Sequence, residues 1–275
     1  MLRFLFWNIR KRNLGRYVAL ATEERKIDCL VVSECINPLE ILRELHRVGL
    51  KNFNHHDNPT KAAVEIFSQL PLDRIRPLGD YGCLTFRRVL PIIGKEFLLV
   101  GAHLHSKLRR DEADQALYCT TLAAKIVQFE SAVGHKRTVI IGDLNMNPFE
   151  RGVVTANGFH AAPTKTVAKR GSRVVDGEKY GLFYNPMWSL FGGRDGGPPG
   201  TYFYDKSRLT EYFWHMFDQV LVRPDLVDHF DSTNLEIIAN IGGTNLLDSD
   251  GRPDAKELSD HLPIAFSLDL TKETI

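Results

Sequence analysis

Six places in the sequence set a polar, chemically capable side chain at the end of an apolar run. Asn8 follows residues 2–7, Glu34 follows 27–33, and His103 ends the run FLLVGAH. Asp143 and Asn145 follow the apolar run 138–141 and Gly142. Asp218 sits inside MFDQVLV, and Ser259-Asp260-His261 opens the last apolar run. Leaving a carboxylate at the end of a buried run is costly unless it meets solvent, a cation or donors. A single junction of this kind is ordinary turn chemistry. Six recurrences point instead to strand ends that converge on one rim. Glu, Asp and Asn are hard oxygen donors suited to magnesium or manganese, not the thiolate and imidazole set of zinc. Magnesium is held by one or two carboxylates, with substrate phosphate completing its shell. The histidines are left for proton transfer or charge stabilisation, so the set suits phosphate-ester hydrolysis.

The elements that would position these groups are strands. The stretch 138–147, TVIIGDLNMN, reads as a rigid β-branched strand delivering Asp143 and Asn145, with Gly142 allowing close backbone approach. Taken alone, Gly-Asp-x-Asn fits a turn as well as a site. Further strands are expected at 2–7, 27–33, 62–67, 81–89, 96–102, 216–222, near 235–239, and at 261–270. Helices are expected at 13–26, 38–48 and 111–133, the last with Asp111, Glu112 and Asp114 in its first turn and Gly134 as C-cap. Several neighbouring strands lack an intervening helix. That excludes a simple doubly wound fold and predicts mixed sheets packed together with helices outside. No internal repeat or linker divides the chain, so one domain over 1–275 is expected, with an irregular, aromatic-rich segment at about 159–210.

The chain has 275 residues, 43% apolar and 25% charged, with a formal charge of +1. This is the composition of an ordinary globular protein, and it argues against a generic electrostatic coat for nucleic acid while leaving a local basic patch open. Cys29, Cys35, Cys83 and Cys119 form no C-x-x-C pair, which disfavours structural zinc and a disulfide framework and fits a reducing compartment. The apolar run at the amino terminus is too short to span a membrane, and its charges follow it, the reverse of a secretory signal. A cytoplasmic location is the expectation.

The ordered motifs FWN, VVSE, GAHLHS, IIGDLN, FDQVLV and SDHLPI resemble the endonuclease/exonuclease/phosphatase superfamily, the deoxyribonuclease-I-like fold. The likeness runs from Asn8 to His261, and GDxN followed far downstream by SDH is its specific part. It implies an α/β (α+β) four-layer sandwich of two mixed β-sheets flanked by helices. It also implies roles for individual residues. Asn8 resembles the first-strand asparagine beside the metal and the scissile phosphate. Glu34 resembles the main metal ligand, and Asp260 an additional carboxylate of the metal site. Asp143 resembles the aspartate that activates water, with Asn145 as its phosphate-binding partner. His261 resembles the phosphate-contacting histidine that Asp218 orients. His103 resembles the leaving-oxygen histidine of the deoxyribonuclease and sphingomyelinase branches, and departs from the tyrosine usual in abasic-site endonucleases.

The implied activity is a Mg²⁺- or Mn²⁺-dependent phosphoesterase, foremost a nuclease on DNA or RNA. The alternative is a phosphatase or phosphodiesterase of a small or lipid phosphoester, which near-neutral charge mildly favours over long duplexes. A catalytically silent binding protein is disfavoured, because every matched position holds a competent residue. Lys107 and Arg109, with Arg110, either clamp phosphate or form a solvated loop. Tyr202 resembles a substrate-side tyrosine, whereas His55 and His56 read as surface residues.

Overall fold

The computed structural model describes residues 1–57, 63–107, 111–193, 196–206, 209 and 211–273. Two mixed sheets pack face to face. The six-stranded sheet runs in the order Phe230–Ile237, Ile264–Leu268, Leu2–Asn8, Cys29–Ser33, Val64–Ser68, Asn54–His55. The seven-stranded sheet runs Ile75–Tyr81, Leu84–Val89, Phe97–His103, Thr138–Asp143, Asp218–Val222, Phe183–Tyr184, Ala161–Ala162.

The central strands read as unbroken apolar runs because both of their faces are covered. Phe4 and Phe6 point between the sheets and meet Phe97, Leu99, Val139 and Ile141. Their alternates Leu5 and Trp7 point outward to Val18, Ile41 and Leu45 of the helices Gly15–Glu24 and Pro38–Arg47, and to Leu14 just before the first. On the opposite side, Leu98, Val100 and Ile140 pack under Leu122 and Ile126 of helix Glu112–Val133. The result is the expected four layers, helices on sheet on sheet on helix. Helix Glu112–Val133 begins where Asp111 accepts the Asp114 N–H, and it ends at Gly134 in the left-handed conformation.

The structure adds one strand and corrects two local expectations. Strand Ile75–Tyr81 pairs with Leu84–Val89 through a hairpin, although Pro77 and Gly79 interrupt its pattern; the register shifts between those two residues, and the strand lies at a sheet edge, where a proline is tolerated. The segment 159–210 is less irregular than its composition suggests, because Ala161–Ala162 and Phe183–Tyr184 extend the second sheet. The final strand starts at Ile264, not at 261, because Pro263 has no N–H to give and the Leu262 N–H goes to Thr201 O. His261 is therefore outside the sheet ladder and instead forms an isolated antiparallel bridge with Tyr202.

Helix Glu112–Val133 also braces the far ends of the strands that carry Asp143 and Asp218. Glu130 takes a bidentate pair of hydrogen bonds from Arg223, at 2.7 and 3.1 Å, and a third from Thr138 Oγ1. His56 is buried with Nε2 2.8 Å from Ser68 Oγ, contrary to its expected surface position. No helix among the described residues is long and apolar enough to cross a membrane.

Candidate active site

The sheet topology explains why the polar strand ends converge. Strands Leu2–Asn8 and Cys29–Ser33 are parallel and in register, so Asn8 and the residue after Ser33, Glu34, emerge at one edge. Strands Phe97–His103 and Thr138–Asp143 are also parallel, with His103 opposite Asp143. Strand Asp218–Val222 is antiparallel to the latter, and its first residue faces Asp143. The packed sheets bring Asn8, Glu34, His103 and Asp143 onto the lining of one cleft of about 800 Å³, with Asp218 buried outside that lining.

Asp143 is the hub. Its side chain is 1% exposed, and Oδ2 accepts from Asn8 Nδ2 at 3.0 Å while Oδ1 accepts from the Asn145 backbone at 2.9 Å. His103 Nε2 and His261 Nε2 lie 3.9 and 3.8 Å from the same Oδ2. Gly142 makes the approach possible: a Cβ there would stand 1.9 Å from Ala102 O on the adjacent strand. The Asn145 backbone is left-handed (φ 51°), and its Nδ2 donates to Leu104 O. The Gly-Asp-x-Asn turn is what holds the Asp143 carboxylate in place.

His261 is fixed from four sides. Its Nδ1 is 2.8 Å from Asp218 Oδ2, and its carbonyl accepts from Trp7 Nε1. Its N–H goes to Ser259 Oγ, which in turn donates to Asn8 O. The Tyr202 ring packs on its imidazole at 4.8 Å and stacks on Phe217. Burial opposes charge on this ring, but Asp218, Asp143 and Asp260 outweigh it and raise its pKa to about 10. Burial, with Asp260 and Asp143, pushes the Tyr202 phenol up to about 12, against Arg10.

Glu34 follows its strand in a left-handed conformation (φ 51°). Its carboxylate makes no hydrogen bond among the described residues, and His103 Nε2 stands 3.6 Å from it. Asp260 lines the same cleft but faces Arg10, whose Nε is 3.4 Å from Oδ2. The three residues expected to hold metal are thus not equivalent. Asn8 has committed its nitrogen to Asp143 and its oxygen to the Arg10 N–H, Asp260 faces the Arg10 guanidinium, and Glu34 has the His103 imidazole 3.6 Å away but no hydrogen bond among the described residues. The tightest group of possible ligand atoms, Asp143, Asp218 and His261, lies within 4.8 Å of one another. We read it as a proton-holding network, because Nδ1 of His261 is already bound to Asp218.

Of the expected substrate contacts, Lys107 and Tyr202 line the cleft. Lys107 is paired with Glu150 at 2.6 Å, so its charge is already compensated. Arg109 lies outside the described residues. Sequence reasoning missed the network behind Lys107. Glu150 Oε1 also accepts from Asn147, which contacts His215 Nδ1, and His215 Nε2 reaches Glu211 at 3.0 Å. Asn147, two residues beyond Asn145, was the signal available for it. Thr201 was missed as well; its Oγ1 receives the Asp218 N–H.

No family model matches the sequence, and no curated protein matches it either. Solved structures match over almost the whole chain. Truncated Caenorhabditis elegans TDP2 superposes with a TM-score of 0.54 at 14% identity, covering 97% of each chain. An AP endonuclease from Archaeoglobus fulgidus gives 0.53 at 16%, covering 98% of this chain and 100% of that one. An endonuclease/exonuclease/phosphatase family protein from Bacteroides thetaiotaomicron gives 0.57 at 14%, covering 97% and 94%. At such identities the likeness defines the fold: this chain has the deoxyribonuclease-I-like fold of the endonuclease/exonuclease/phosphatase proteins.

Proposed function

We propose that the protein is a divalent-metal-dependent phosphoesterase that hydrolyses phosphodiester bonds of nucleic acid. The observation that carries this reading is the setting of Asp143, a buried carboxylate at a cleft floor with an imidazole nitrogen on either side, 3.9 and 3.8 Å away. Asp143 accepts the proton of the attacking water, and Asn8 and the Asn145 backbone fix its two oxygens for that task. His261, kept charged by Asp218, directs Nε2–H at a phosphoryl oxygen, and His103 donates to the departing oxygen. Each such group contributes about 10²–10⁴-fold.

The residues also fit a hard cation. Glu34 offers a carboxylate without a hydrogen-bond partner among the described residues, with the His103 imidazole 3.6 Å away, and Asp143 and Asp260 add carboxylate oxygens to the same cleft. Held there, Mg²⁺ or Mn²⁺ would neutralise phosphoryl charge and orient water. The choice of nucleic acid is supported by the fold's neighbours, which include a D. rerio TDP2 complexed with a single-strand DNA product. It is supported too by the aromatic lining of Tyr202, Tyr204, Tyr212 and Phe217 beside the floor.

A phosphoester panel tests the proposal: single- and double-stranded DNA, RNA, nucleotides, inositol phosphates and sphingomyelin, each with and without chelator. Chelator-sensitive cleavage of nucleic acid is the expected result. Release of inorganic phosphate from small esters alone would replace the substrate class. Absence of metal-dependent turnover on every member would overturn the enzymatic reading.

A further inference from the structure

Among the described residues, eight other than glycine have a positive φ, and four of them line the cleft: Arg10, Lys11, Glu34 and Asn145. Each such residue costs on the order of 1 kcal/mol, so this backbone is held by its surroundings. Arg10 (φ 50°) is held through both its backbone and its side chain. Its N–H is bound to Asn8 Oδ1, its Nη1 to Ala255 O at 2.8 Å, and its Nε stands 3.4 Å from Asp260 Oδ2. The next N–H, of Lys11, is bound to Glu34 O. One strained turn thus ties together Asn8, Glu34 and Asp260. It delivers a fixed guanidinium to the second carboxylate and no cation to the first.

We propose that Arg10 is a built-in counter-cation that keeps Asp260 out of the metal shell, so that the centre takes one divalent ion, on Glu34. The inference rests on the metal-dependent reading of the cleft. The hydrogen bond from Nη1 to Ala255 O orients the guanidinium and reduces the side-chain entropy that normally weakens a partly exposed ion pair. A divalent ion on Asp260 would face the guanidinium directly and be repelled. Arg10 is accordingly a positioning residue that sets metal number and leaves Asp260 charge-balanced beside His261 and Tyr202.

The test is a Mn²⁺ titration of the full chain, with free Mn²⁺ read by electron paramagnetic resonance, alongside the near-isosteric variants Glu34→Gln and Asp260→Asn and the charge-removing Arg10→Gln. The wild type should bind one ion. Glu34→Gln should weaken binding by about tenfold or more, while Asp260→Asn should stay close to wild type. Arg10→Gln should gain a second ion or tighter binding, and adding Asp260→Asn should abolish that gain. Two ions on the wild type, an Asp260→Asn loss as large as that of Glu34→Gln, or an Arg10→Gln titration identical to wild type would each overturn the inference while leaving the metal reading intact. A wild type that binds no Mn²⁺ would overturn both.

Discussion

Replacing Gly142 by alanine tests whether the site depends on the close approach of two strands. The added Cβ would lie 1.9 Å from Ala102 O, 2.6 Å from Ala102 C and 2.8 Å from Ala102 N, all backbone atoms of the neighbouring strand. Ordinary contact begins near 3.4 Å, so the strands must separate by the difference, 3.4 − 1.9 = 1.5 Å. No side chain can rotate away to absorb it. The strain falls on the register pair Ala102 and Gly142, one residue before His103 and Asp143. A misplacement of about 1 Å at reacting groups costs about 10²-fold in rate, and overpacking a buried site costs about 1–3 kcal/mol. Gly101→Ala is the control. Its Cβ would meet Val64 Cγ2 at 2.2 Å, the tip of a side chain between the sheets that can repack. The assay pairs a thermal melt with kcat/KM on the substrate selected by the panel. Gly142→Ala should lose about 10²-fold or more in kcat/KM, whereas Gly101→Ala should lower the melting temperature with a much smaller loss of turnover. Wild-type turnover and melting in Gly142→Ala would refute the reasoning.

Two further predictions concern titration. Burial opposes the charge on His261, and Asp218 is the foremost group restoring it, with the pKa reaching about 10. Asp218→Asn should therefore lower that pKa, move the alkaline limb of the pH–rate profile to lower pH and reduce kcat by about 10²–10⁴-fold; an unmoved limb would separate Asp218 from His261 function. At the other end of the sandwich, burial, with His55 and Arg87, lowers the His56 pKa from its ordinary 6.5 to about 4. The neutral folded form gives stability that is complete above the unfolded value and is lost as pH falls toward the folded one. The loss is roughly 3 kcal/mol at most, and His56→Gln should flatten the dependence of the urea midpoint on pH across that window.

The strand ends were legible in the sequence because each buried run is apolar on both faces and stops at a polar residue. This marked Asn8, Glu34, His103 and Asp143 at strand ends. What the sequence hid was pairing at a distance. Nothing local says that Lys107 would be neutralised by Glu150, or that Arg10 would meet Asp260. Two-residue strands such as Ala161–Ala162 carry no periodicity, and Pro77 masked an edge strand. His56 sits in a polar stretch, yet the chain folds it against Ser68. His261 was found by its motif, but its grip by Trp7, Ser259 and Asp218 spans up to 254 residues of sequence.

In the proposed mechanism Asp143 activates water for attack on a phosphoester. Single-turnover cleavage by wild type and Asp143→Asn, with Mg²⁺ present and substrate binding measured in parallel, isolates that step. Asp143→Asn should fold and bind its substrate while cleavage slows by about 10²–10⁴-fold or more. Cleavage by Asp143→Asn at the wild-type rate would contradict it.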